Sequence, residues 1–199
     1  MQVQAADSAA RNLVMAGTAT VGLSTFPQSG GYARPVVQAP VAMSGFAIAF
    51  TIDDDQGHRL TDLRLDARLV AKLLSESYPG NVKVTRAYPA LAGHPLNITE
   101  DPEFRALNPD VPDVGVVEAA STLIALNTDS DMMEALTSWI DADPEARDFL
   151  NGVPDPWGMQ VNPNYRHVEL PVSSWPLLDD FQLASDSPCY DTSRRRTSG

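Results

Sequence analysis

The sequence predicts an α/β fold. Three observations predict it. Segments 18–24, 36–52 and 119–126 have strand character. Amphipathic helices are expected after Asp66, Asp101, Asp131 and Asp143. The two kinds of segment alternate along the chain, which is the pattern of a sheet flanked by helices.

Taken in order, residues 1–16 predict a short helix with Ala9, Leu13 and Ala16 on one face. TATVGLS (18–24) carries β-branched residues and reads as a short strand. PQSGGYARP (27–35) is a Pro- and Gly-rich loop. VVQAPVAMSGFAIAFTI (36–52) is the most strand-like stretch, divided by Pro40 and Gly45. Its second half is almost continuously apolar, as in a strand buried on both faces. DDDQG (53–57) is a solvated turn, because the spaced aspartates of a calcium loop are missing.

Asp66 is a good N-cap for DARLVAKLLSESY, whose stripe is Leu69, Val70, Leu73 and Leu74. Asp101–Pro102 and Asp143–Pro144 each supply a cap followed by proline at the first helical position. Pro109 ends the first of these helices and Gly152 the second. AASTLIAL (119–126) is a buried strand leading into LNTDSDMMEALTSWI (126–140), a polar loop running into a helix. There Asp131 and Glu134 form a capping-box-like pair, with Ser130 or Thr128 sharing the task.

The chain has 199 residues and a formal net charge of -12. That balance disfavours nucleic acid and anionic lipid as partners, since both need clustered Lys and Arg. Cys189 is the only cysteine, so no internal disulfide forms. No apolar run reaches the ~18 residues of a membrane span, and no signal peptide precedes the fold. The compartment stays open between export within a longer chain and the cytoplasm.

Catalytic patterns are missing: no G-x-S-x-G elbow, no P-loop, no G-x-G-x-x-G. His58, His94 and His167 lie far apart and read as surface or loop residues. Trp139 reads as a core residue of its helix, and Trp157 and Trp175 as packing of Pro-rich loops. No catalytic residue, metal ligand or cofactor is expected.

Several segments in chain order resemble the phosphate-binding proteins of ABC importers, the type II periplasmic binding proteins. MAGTATVGLSTFPQ (15–28) is similar to that family's first strand and turn. VVQAPVAMSGFAIAFTID (36–53) resembles its crossing strand, and LTDLRLDARLVAKLLSESYPG (60–80) one of its helices. ITEDPEFRALNPDV (98–111) is the most telling, with Asp101, Pro102, Leu107, Asn108 and Pro109 in step with the family's D-P-x-x-x-x-L-N-P. The 126–140 stretch falls where the family carries its second phosphate loop, R-S-D-G-S-G-T. The later segments, PDPWGM and Asn162, Pro163 and Tyr165, are similar to a divergent branch within longer secreted or surface-anchored bacterial proteins.

The resemblance implies a type II lobe, a mixed sheet flanked by helices, with part of a second lobe. Residues 1–45 would be the partial first lobe and crossing strand, 46–150 the second lobe, 151–182 a Pro-rich return, and 183–199 a disordered tail. It implies a chain truncated before its first strand, leaving an unpaired sheet edge. It also implies a solute site at Ser24, Thr25, Asn127, Thr128, Asp129, Ser130 and Asp131. The partner would be a small-molecule solute, with a partner domain or a membrane permease besides.

Departures qualify the site. The family's buried acceptor Asp aligns with Thr25, its Arg with Asn127, and its phosphate-cradling Ser, Gly and Thr with Asp131, Met132 and Met133. A carboxylate there repels an oxyanion. Two readings remain level: a solute-binding domain for a cationic or hydroxyl-rich ligand, and a degenerate structural or interaction module.

Overall fold

The computed structural model describes residues 7–26, 32–43, 45–54, 56–111, 118–123 and 130–178. Asn127, Thr128, Asp129, Cys189, the end of the 119–126 segment and the 183–199 tail lie outside them. Six α-helices lie among the described residues: α1 (Asp7–Met15), α2 (Ala67–Leu74), α3 (Val82–Ala87), α4 (Pro102–Leu107), α5 (Asp131–Ala142) and α6 (Pro144–Leu150). Short 3-10 turns cover Pro89–Leu91, Ile98–Glu100, Glu118–Ser121 and Pro163–Tyr165.

The expected α/β class with a mixed sheet is overturned: the described residues contain no sheet. Their β pairing is one isolated antiparallel bridge, Asp53 with Arg59, flanked by the bond from Leu60 N–H to the Ile52 carbonyl. A strand exists only when a neighbour satisfies its backbone groups. Segment 36–43 has no such neighbour among the described residues. Its side chains are solvated, with Val37 97% and Met43 101% exposed. Local preference for strand is present there, but no surface receives it. Residues 46–52 alternate between partly buried and exposed positions, ending on buried Ile52, so they are not covered on both faces. At 118–121 the predicted strand is a 3-10 turn.

Helix ends follow the local chemistry. Asp66, Asp101 and Asp143 each accept a backbone N–H of the turn they cap, from Leu69, Glu103 and Ala146. Pro102 and Pro144 occupy the first turn, where no N–H is missed. Gly17 and Gly152 stand in the left-handed region after α1 and α6. Each is followed by a bond back to the last full turn, Thr18 to Leu13 and Val153 to Asp148. Glu76 takes the same post after α2 at φ 48, so this helix stops at Leu74 although its apolar pattern runs on to Tyr78.

The chain divides into two compact units. One comprises 1–49, 125–141 and 169–176; the other comprises 50–124, 142–168 and 177–199. In the first, Thr137 on α5 donates to the Val172 carbonyl and accepts the Val172 N–H, and Ser130 N–H donates to the Ser173 carbonyl. Trp139 is 39% exposed and leans on Phe46 with ring centres 6.1 Å apart, so it caps the unit's surface rather than filling a core.

The second unit holds the larger core. α2 is buried on every side and packs against α6. Leu69, Val70, Leu73, Phe104, Phe149, Tyr78 and Tyr165 are all inaccessible or nearly so. Burial of all eight residues of α2 includes Arg68 and Lys72, which no single apolar stripe predicts. Among the described residues no helix is long and apolar enough to cross a membrane.

Candidate functional site

The first unit brings together four of the seven residues expected at a ligand site: Ser24, Thr25, Ser130 and Asp131. Asp131 opens α5 and is almost inaccessible. Its Oδ2 accepts the backbone N–H of Thr25 at 2.8 Å and of Phe26 at 3.1 Å. Arg11, on α1, donates to both carboxylate oxygens, at 3.0 and 2.9 Å, and to the Phe26 carbonyl. Two backbone N–H groups and a guanidinium make a good oxyanion cradle. Here the oxyanion is the chain's own carboxylate.

The expected cap of α5 changes accordingly. Asp131 and Glu134 do not close a capping box, because Asp131 turns to Arg11. Ser130 serves instead: its Oγ accepts Met132 N–H at 3.2 Å and its carbonyl accepts Glu134 N–H. Met133 is buried, whereas Met132 is largely solvated.

Beside the cradle lies a groove of about 890 Å³, lined by Arg11, Val14, Tyr32 and segments 20–26 and 36–43. Ser24 and Thr25 are on its wall. The Ser24 hydroxyl is turned to the Phe26 carbonyl at 3.0 Å.

The second unit contains an ionic cluster that sequence reasoning missed. Lys72 Nζ is wholly buried and lies 2.8 Å from Asp101 Oδ2, 2.8 Å from Glu103 Oε2 and 2.7 Å from Asp155 Oδ2. Tyr78 Oη–H donates to Asp101 Oδ2 at 2.6 Å. Arg68 holds the other oxygen of Glu103 and reaches Glu145 at 2.9 Å. Phe149 closes one side, its ring centre 5.8 Å from the ammonium. Burial by itself favours neutral Lys72, but the carboxylates of Asp101, Asp155 and Glu103 outweigh it and raise the pKa. Burial, reinforced by Asp101, pushes the Tyr78 phenol well up.

The three carboxylates lie within 4.8 Å of one another, close enough to share a metal ion. The Lys72 ammonium already occupies the position between them, so the cation they require is supplied by the chain. Asp101 and Asp155 were legible only as a helix cap and a loop residue. The one available signal was a lysine between Leu69 and Leu73 of an otherwise buried helix.

The histidines do not converge. His58 pairs with Asp54 at the exposed turn, His94 faces the Ser77 carbonyl, and exposed His167 faces Asn151. Comparison with protein-family models, with curated proteins and with solved structures gives no match.

Proposed function

We propose that this chain is a non-catalytic structural and interaction module, in which an inherited oxyanion cradle is closed by the protein's own Asp131. One observation supports this above the others: Arg11 and the Thr25 and Phe26 N–H groups all converge on that carboxylate. An added phosphate would have to displace a buried, fully bonded anion. Descent from the phosphate-binding proteins, within a longer secreted or surface-anchored protein, is part of the proposal and rests on the aligned segments alone.

The test is a calorimetric and thermal-shift titration with phosphate and sulfate. The wild-type protein is expected to show no saturable binding. Asp131→Ser, which vacates the cradle and leaves Arg11 and both N–H groups in place, is expected to gain it. Saturable phosphate binding by the wild-type protein overturns the proposal.

The groove beside the cradle supports a second reading, a solute held against Ser24 and Thr25. Sugars, amino acids and polyamines in the same titration address it. A saturable rise in melting temperature with one class establishes that reading over the first.

A further inference from the structure

We propose that Lys72 and Asp155 condense to an intramolecular amide, an isopeptide cross-link inside the second unit. Three features single out this pair. First, Nζ sits 2.7 Å from Asp155 Oδ2, with both side chains out of contact with solvent. Second, Asp155 Oδ1 accepts two backbone N–H groups, from Trp157 at 2.9 Å and Met159 at 2.8 Å. Two N–H donors on one carboxyl oxygen are the arrangement that stabilises the oxyanion of an acyl transfer. Third, Glu103 Oε2 lies 2.8 Å from the same nitrogen, in place to carry protons. Asp101 and Glu103 are poorer electrophiles. Asp101 Oδ1 has one backbone donor, and Glu103 is neutralised by Arg68.

The chemistry balances without a cofactor. The resting state is the ammonium and the carboxylate. Glu103 takes a proton from Nζ and delivers it to Asp155 Oδ2, leaving a neutral amine and a carboxylic acid. Desolvation works towards this uncharged pair, against the carboxylates that hold Nζ protonated in the resting state. The Nζ lone pair attacks Cγ, the N–Cγ bond forms, and charge collects on Oδ1 under the Trp157 and Met159 N–H groups. A second proton passes from nitrogen to Oδ2 through Glu103. The Cγ–Oδ2 bond then breaks and Oδ2 leaves as water. Three ammonium hydrogens become one on the amide and two on water. Fixed proximity is worth an effective concentration on the order of 10⁵ M or more in well-oriented cases. The bond would tie α2 to a residue 83 positions away.

The experiment is intact mass spectrometry of the denatured full chain, whose native sample first shows a cooperative melt. The expected mass is one water below that of the sequence, and trypsin is expected to yield a branched peptide joining Lys72 to Asp155. Lys72→Arg is expected to restore the full mass. Asp155→Asn is expected to lose ammonia instead and to reach the same cross-linked product. Glu103→Gln is expected to leave a larger uncondensed fraction at matched times. Wild-type protein that melts cooperatively and has the full sequence mass overturns the proposal. So does a water loss that persists in Lys72→Arg, or a branch that maps to another carboxylate.

Discussion

Arg11 and Asp131 stand 120 residues apart in sequence and 2.9 Å apart in the fold. The guanidinium on α1 neutralises the carboxylate of the first residue of α5. Removing the guanidinium leaves Asp131 buried with its two N–H partners but without a counter-charge. Arg11→Met is expected to cost about 2–3 kcal/mol, less than a wholly buried pair because Arg11 is partly solvated. Urea unfolding measures it, and Asp131→Asn combined with Arg11→Met should recover part of the loss.

Compared with the uncondensed ammonium form, Lys72→Met removes the positive centre from three carboxylates and is expected to cost at least ~3 kcal/mol at neutral pH. The Lys72 pKa is raised, so the contribution of its charge is fully present below the ordinary 10.5 and the deficit should shrink as pH rises beyond it. Chemical unfolding of both proteins from neutral to alkaline pH checks this. A deficit independent of pH would mean lost packing alone.

Asp66 caps α2, and its pKa is raised, first by burial, against the Leu69 N–H bond, and with help from Glu103. A raised folded-state value means the folded protein holds that proton more tightly than the unfolded chain. Wild-type stability therefore gains from this group as pH falls through the folded value, which lies above the ordinary 3.8. Asn caps equally well without the charge. Asp66→Asn is expected to stabilise by roughly 0.5 kcal/mol at neutral pH. The advantage should vanish in acid, as read from melting curves at several pH values.

Tyr78 is wholly buried, with its hydroxyl on Asp101. Burial lifts its ionisation well above 10.0, so the folded protein retains a proton that the unfolded chain loses. The stabilisation is fully present below that ordinary value and is lost as pH rises beyond it. Tyr78→Phe is expected to cost about 1–2 kcal/mol at neutral pH, because Asp101 loses a buried donor. It should also flatten the alkaline decline in stability. Absorbance titration of tyrosinate alongside unfolding distinguishes the two effects.

The sequence by itself determined where α2, α4 and α6 begin, but not α3 or the stop of α2 before Glu76. Asp66, Asp101 and Asp143 cap by bonding N–H groups two or three residues away, and Pro102, Pro144, Gly17 and Gly152 act through their own backbone angles. Such interactions are contained in a few adjacent residues, so they can be read there. It also placed Ser24, Thr25, Ser130 and Asp131 in one neighbourhood, through the resemblance. Only the tertiary structure decided what those residues do. Strand pairing needs a second segment to accept each backbone bond, and 36–43 finds none among the described residues however strand-like its composition. The role of Asp131 depends on Arg11, and that of Lys72 on Asp101, Glu103 and Asp155, all distant in the chain. A charge has no fixed meaning until its partner is known, because burial makes an unpaired ion costly and a paired one structural.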